Sequence, residues 1–260
     1  MRYSIQAARS SVAAVIESNQ NQTVGQPQSM SNPVCIVMVK APRPGAVKTR
    51  LVPPLSGTDA ASLAACFAQD AVGGARRVLQ QVIVAYAPDD GRRALEELLP
   101  HKDLLWHEQQ GDDLGARLAD AVRDASARGF SPIIIIGADS PTLPRSFIER
   151  AIKSLAANNS DIALAPTDDG GYCLVGLRRL TDGLFQNVRW STPLAYQQTA
   201  DNAASSHLRL LRLPRWYDVD TFSDLLRLRD ELLTDEAARE SAPHTHKWLL
   251  AHDPLFSKTI

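Results

Sequence analysis

Apolar residues follow two rhythms along this chain. Short unbroken runs at 34–39, 82–86, 133–136, 162–165 and 172–177 are rich in Val, Ile, Leu and Ala. They are too short for helices and too uniformly apolar for half-exposed strands, so they predict strands buried on both faces. Weaker strands are expected at 104–106 and 208–213. Between the runs, apolar positions recur at helical spacing. Leu63, Phe67, Ala71 and Val72 mark a helix over 56–79, begun by Ser56, Thr58 or Asp59. Leu114, Leu118, Ala121, Val122 and Ala125 mark one begun by Asp112 or Asp113. Phe147, Ile148, Ala151, Ile152 and Leu155 mark a third over 144–157. Shorter helices are expected at 92–99 and 193–203, and another at 222–233 after Thr221. Strands that alternate with helices predict an α/β three-layer sandwich around a mostly parallel, mixed sheet. The sharp turn at 166–171 makes 172–177 its antiparallel member. Right-handed crossovers then bring the ends of the parallel strands to one edge.

The two ends break this rhythm. Residues 1–33 are rich in Gln, Asn and Ser, and their apolar patch at 12–16 is short and stopped by Glu17. They read as a disordered tail without a secretory signal, with a working start near Met30. The domain then covers 34–233, and 234–260 reads as a polar tail with a short helix at Trp248-Leu249-Leu250. Formal net charge over the 260 residues is −1, so no global field recruits nucleic acid or an anionic membrane. No run approaches the roughly 18 apolar residues of a membrane span. Cys35, Cys66 and Cys173 are far apart, which indicates neither a disulfide framework nor a zinc site and fits a cytoplasmic setting. Oligomeric state has no signature in the sequence.

Candidate chemistry gathers in the loops that follow strands. The first run leads into Lys40-Ala41-Pro42-Arg43-Pro44-Gly45, a segment closed to helix and ladder. Through Lys40, Arg43, Lys48 and Arg50 it reads either as a phosphate-gripping loop or as a solvated basic turn. Asp139 ends the most hydrophobic run and is placed to ligate a metal; the competing role is a turn or helix cap. Asp218 and Asp220 lie two apart, so an extended backbone would present both to one cation, with capping of the next helix as the alternative. Asp168-Asp169-Gly170-Gly171 is either a plain turn or a floor for a sugar or base, with an acid nearby to take a proton. Trp190-Ser191-Thr192 is either a stacking platform for an acceptor or a core Trp with a helix cap. Cations on one wall and carboxylates on the other suit a Mg²⁺-bound di- or triphosphate.

The segments APRPGAVKTRL (41–51), IGADSPTLP (136–144), DDGGYCLVGL (168–177), WSTP (190–193) and YDVDT (217–221) resemble, in order, those of a GT-A-like family. That family is labelled arsenosugar-biosynthesis-type glycosyltransferases. More distantly they resemble the nucleotidyltransferases of molybdenum-cofactor and phospholactate guanylylation. The resemblance spans about 34–233 and implies a Rossmann-like GT-A, nucleotide-diphospho-sugar transferase fold. It implies that Lys48 and Arg50 bind nucleotide phosphates, that Asp139 and Asp220 hold Mg²⁺ or Mn²⁺, and that Gly170 and Gly171 line the acceptor side. The first loop departs from the nucleotidyltransferase pattern: Gly45 stands alone between prolines instead of among several glycines. A DxD step after the central strand, common in GT-A glycosyltransferases, is also missing, because Ser140 and Pro141 follow Asp139.

The leading expectation is a metal-dependent transferase that uses a nucleotide-sugar donor and a small-molecule acceptor, with Asp168 or Asp169 as base. The runner-up transfers a nucleotidyl group from a nucleoside triphosphate to a phosphorylated small molecule and releases pyrophosphate. A non-catalytic nucleotide-binding module is the third.

Overall fold

The computed structural model describes residues 32–253 and 256. The strands are β1 (Val34–Lys40), β2 (Val82–Ala87), β3 (Leu105–Glu108), β4 (Ile133–Gly137), β5 (Ile162–Pro166), β6 (Tyr172–Leu177) and β7 (Leu210–Arg212). They form one sheet in the order β3-β2-β1-β4-β6-β5-β7. Neighbours are parallel except β6, which runs antiparallel to both β4 and β5. The expected α/β sandwich with a mixed sheet is therefore the observed architecture.

Strand alternation sorts the apolar runs onto two faces. Cys35, Val37 and Val39 of β1 pack with Ile134 and Ile136 beneath α1 (Gly57–Val78) and α4 (Arg145–Ala156). Val34 and Ile36 join Ile133, Ile135, Ile162 and Leu164 on the other face. There α3 (Leu114–Ala127) contributes Leu118, Ala121, Val122 and Ala125, and α5 (Ala195–Ser205) contributes Ala200 and Ala203. The short α2 (Arg92–Leu98) seats Leu95 in the first core and packs Leu98 against it. Because both faces are covered, unbroken apolar runs are the sequence this sheet requires.

Helix starts follow the polar residues that precede them. Ser56 and Asp59 form a reciprocal capping box on α1, and Asp113 caps α3 by accepting from Ala116 N at 2.7 Å. Thr221 and Asp224 form a second box on α6 (Phe222–Thr234). One strand is shorter than expected and one helix is shifted by two residues. The strand over 208–213 is a ladder only at 210–212, on the sheet edge with β5 as its one neighbour. Helix α5 begins at Ala195 because Thr192 first closes a turn, accepting from Leu194 N at 3.3 Å.

The short helix expected at 248–250 is part of α8 (Pro243–Ala251), and α7 (Glu236–Ser241) precedes it. Trp248 and Leu249 are buried in a third core with Leu63 and Phe67 of α1 and Leu225 and Leu228 of α6. The α8 N-terminus is capped from α1: Asp70 accepts from His244 N at 3.0 Å and Thr245 N at 2.8 Å. At the other end, Asn32 exchanges two 2.9 Å backbone hydrogen bonds with Ser131. The rest of the expected tail and the Met30 start lie outside the described residues. Among the described residues, no helix is long and apolar enough to cross a membrane.

The strand order creates one special place. The chain moves outward from β1 through β2 to β3, then returns over α3 to insert β4 on the opposite side of β1. Connections diverge at the β1/β4 boundary, the crevice where open α/β sheets take ligands.

Candidate active site

Lys48 is the centre of that crevice. The loop after β1 brings it back under itself by placing Lys48 in the left-handed region, at φ 48°, just before a turn of 3₁₀ helix at Thr49–Leu51. The side chain is only 6% exposed. Its Nζ lies 2.6 Å from Asp139 Oδ1 and 3.0 Å from Asp220 Oδ1, and donates to Val219 O at 2.8 Å. The buried Phe67 ring sits 5.5 Å below. Burial works to lower the Lys48 pKa, but Asp139 and Asp220 together outweigh it and raise it above the ordinary lysine value. Both aspartates remain about half exposed, at 54% and 42%. Neither acts as a cap. Thr221 and Asp224 cap α6, and α4 starts at Pro144 without a side-chain cap. Asp139 and the Asp218–Asp220 step are joined through the backbone, where Val219 N donates to Asp139 O at 2.9 Å.

The three-carboxylate metal group expected from Asp139, Asp218 and Asp220 is not assembled. Among the described residues, no set of three His, Cys, Asp or Glu side chains is placed to hold one metal ion. Asp218 turns away to accept from Ser140 Oγ. Burial pushes its pKa up to about 7 against that hydrogen bond, with Asp139, Asp169 and Asp220 adding to the rise. Asp139 and Asp220 remain as a pair, and the pair fits a divalent ion. Both already bring an oxygen within 3.0 Å of one cationic atom, and Mg²⁺ commonly takes one or two carboxylates with phosphate oxygens and water.

Two cavities meet at this cluster. The larger, about 380 Å³, is lined by Lys40, Lys48, Arg50, Gln109, Leu114 and Arg117 among others. The smaller, about 200 Å³, is lined by Asp168, Asp169, Tyr217, Asp218 and Arg227. Arg50 and Asp220 line both, 3.8 Å apart, so the cavities share a wall. Of the four expected phosphate cations, Arg43 is the exception. It pairs with Asp90 at 2.8 Å and does not line the larger cavity.

The segment around 168–171 is mainly a self-supporting turn. Asp168 Oδ2 accepts from Arg227 Nη1 at 2.7 Å, and that guanidinium lies 3.8 Å over the Tyr217 ring. Asp169 Oδ1 accepts from Thr167 Oγ1 at 2.6 Å and Gly171 N at 3.0 Å. Gly170 has φ +87°, and a Cβ there would meet Pro193 O at 2.3 Å. Its close neighbour is therefore this chain's own backbone, which corrects its expected place beneath a sugar or base. A Cβ on Gly171 would meet Thr167 Oγ1 at 3.1 Å, inside the same turn. Trp190 is partly buried and packs as the core-Trp alternative has it. Its ring meets Tyr172 edge-on at 6.1 Å and Phe185 at 6.4 Å, against the core beneath α3 and α5. Thr192 accepts from Leu194 N and donates to Arg189 O at 2.7 Å, while exposed Ser191 takes φ 58°. WSTP thus builds the entry to α5.

Sequence reasoning missed Gln109, just after β3, and Leu114 and Arg117, in the first turn of α3, which reach the larger cavity. Gln109 Nε2 is anchored on Ala85 O at 2.7 Å. Leu114 was expected on the buried stripe of α3 and is instead 43% exposed at the cavity. Arg227 and Phe67 gave no signal, since helical spacing marks only which face is apolar.

The model of a family described as "Uncharacterized protein conserved in bacteria (DUF2064)" matches residues 71–192. No curated protein matches the chain. Among solved structures, it is similar to a protein from Desulfovibrio desulfuricans G20 provisionally named a nucleotide-diphospho-sugar transferase. The two share 31% identity and a TM-score of 0.79, over 88% of this chain and 98% of that one. A CMP:2-keto-3-deoxy-manno-octonic acid synthetase complexed with CTP aligns at TM-score 0.52 and 12% identity, over 78% and 99% of the two chains. A cytidylyltransferase from Leptospira borgpetersenii serovar Hardjo-bovis (strain JB197) aligns at 0.50 and 11%, over 88% and 98%. The last two share the fold. On the identity and coverage of the first, this chain belongs to the same protein family as the Desulfovibrio protein.

Proposed function

We propose that the chain is a divalent-metal-dependent glycosyltransferase that moves a sugar from a nucleotide-sugar donor to a small-molecule acceptor. The observation that carries this reading is the convergence of Lys48, Asp139 and Asp220 in the larger cavity at the sheet's switch point, where Asp220 also borders the smaller one. Kinship with a protein named for nucleotide-diphospho-sugar transfer supports it, as does the likeness of five segments to the arsenosugar-biosynthesis type.

The donor takes the larger cavity. Lys40, Lys48 and Arg50 bind its phosphates by charge-assisted hydrogen bonds, and Leu114, 43% exposed, offers the base an apolar face. Asp139 and Asp220 would hold Mg²⁺ or Mn²⁺. When bound, the ion neutralises charge that builds on the departing diphosphate. The acceptor takes the smaller cavity. Asp169 on its wall is the proton acceptor through Oδ2, since its Oδ1 is held by Thr167 and Gly171 and Asp168 is engaged by Arg227.

The test is a thermal-shift screen of nucleoside diphosphates, triphosphates and nucleotide sugars, each with and without Mg²⁺ or Mn²⁺, followed by product analysis of the hits. Ligands that bind only the native state raise the melting temperature. The expected result is a nucleotide sugar that stabilises only with metal and releases nucleoside diphosphate on turnover. Pyrophosphate release from a triphosphate would replace this reading with nucleotidyl transfer. Nucleotide affinity that survives Asp139→Ala with Asp220→Ala, without turnover of any donor, would replace it with a binding module.

A further inference from the structure

Lys48 stands where a cation shared by Asp139 and Asp220 has to stand. Its Nζ has carboxylate oxygens at 2.6 and 3.0 Å and a carbonyl oxygen at 2.8 Å. That is an all-oxygen set of the kind a hard cation takes. The placement is built in. A lysine held at φ 48° is in a region that non-glycine residues enter uncommonly. The buried Phe67 ring supports the ammonium from below. Charge then limits what the pair can hold. Two carboxylates with one lysine leave the cluster one negative charge in surplus, softened by Arg50 at 3.8 Å from Asp220. A divalent ion that entered alone would meet a lysine ammonium at contact distance, like charge against like. An ion that arrives with a diphosphate brings the anion the lysine needs.

We propose that Lys48 is the resident cation of the Asp139–Asp220 pair. It is exchanged for a divalent ion only when a nucleotide diphosphate enters, and its ammonium then passes from the carboxylates to the phosphate oxygens. This rests on the nucleotide–metal reading of the site and adds that Lys48 couples the two ligands. Metal and nucleotide each strengthen the other's binding, by the same factor in both directions. Lys48 thus discourages metal binding without nucleotide.

Free Mn²⁺, counted by electron paramagnetic resonance, gives the test. Lys48→Met is expected to bind Mn²⁺ alone at least tenfold more tightly than the wild type, and Asp139→Asn in that background removes the gain. If Lys48→Met gains nothing while Asp139→Asn still weakens wild-type Mn²⁺ binding, the metal site stands and the exchange is overturned. If no variant shows Asp139-dependent Mn²⁺ binding, the nucleotide–metal reading fails and takes the exchange with it. A second arm needs no folded Lys48→Met. In ¹⁵N spectra of the wild type, the protected Lys48 ammonium, identified by its loss in Lys48→Arg, is expected to shift when Mg²⁺ is added with UDP, GDP, CDP or ADP, whichever stabilises the chain. An ammonium signal unmoved at saturation overturns the proposal.

Discussion

Two clusters of opposite charges stand at opposite ends of the sheet, and they differ in what they leave over. At the start of β5 and β7, Arg209 grips Asp161 with Nε at 2.8 Å and Nη2 at 2.9 Å, and its backbone N adds a third bond at 3.0 Å. Its Nη1 donates to Asn158 O at 2.6 Å. With Arg178 adding its guanidinium at 3.8 Å, one carboxylate is fully served by cations. At the ends of β1 and β4, one lysine serves two carboxylates that are half exposed to a cavity. Cavity size does not separate the two places, since the one beside Asp161 is the larger, at about 440 Å³. Surplus acceptors around a buried cation separate them. The Asp161 pair closes the structure on itself, whereas the Lys48 cluster has oxygen to offer a ligand.

The largest effect that would break this contrast is at Asp139. Asp139→Asn is expected to cut turnover by about 10²–10³-fold, the usual loss on removing a preorganised electrostatic group. Its melting temperature should hold, as befits a half-exposed side chain. Wild-type kcat in this variant would make the cluster as merely structural as Asp161–Arg209. Next comes Gly170→Ala, which asks whether the acidic turn belongs with the site or with the scaffold. The new Cβ meets Pro193 backbone at φ +87°, so overpacking of about 1–3 kcal/mol is expected. That should appear in thermal melts as a loss of several degrees, with nucleotide and metal affinity kept. An unchanged melt with lost affinity would return the turn to the binding surface.

The smallest effect sharpens the other side. The Arg209 hydrogen bond, working against burial, holds the Asp161 pKa down at about 2 from 3.8. A depressed folded-state value means the bridge stabilises above the unfolded value and is lost as pH falls from about 4 through 2. For a pair this exposed, solvent screening keeps the contribution small. The melting gap between wild type and Asp161→Asn should therefore be small at pH 6 and close by pH 2. A gap that widens on acidification would contradict the assignment.

Much of the fold was legible because burial on both faces of a parallel sheet demands unbroken apolar runs, and runs at β1, β2, β4, β5 and β6 survive into the structure nearly residue for residue. Caps were legible for the same local reason: Ser56, Asp113 and Thr221 each act within three residues of themselves. Of the last two helices only the Trp248 patch of α8 was legible; α7 and the packing of both were not, because their apolar residues are few and find their partners on α1 and α6. Within the site, Asp139 and Asp220 were legible by their position after strands. Asp218, Gly170 and Trp190 looked equivalent in sequence, and a hydrogen bond from Ser140, the backbone of Pro193 and the ring of Tyr172 claimed them.

By itself the amino-acid order determined a layered α/β domain and the loops able to carry charge, since hydrophobic rhythm, caps and breakers act over a few residues. Which of those charges meet was decided only by tertiary structure. Lys48 and Asp220 are 172 positions apart. Their meeting depends on β4 inserting beside β1 and on a left-handed residue that turns one lysine inward. Partner choice over that distance is a property of strand order and burial, and no local window of sequence contains it.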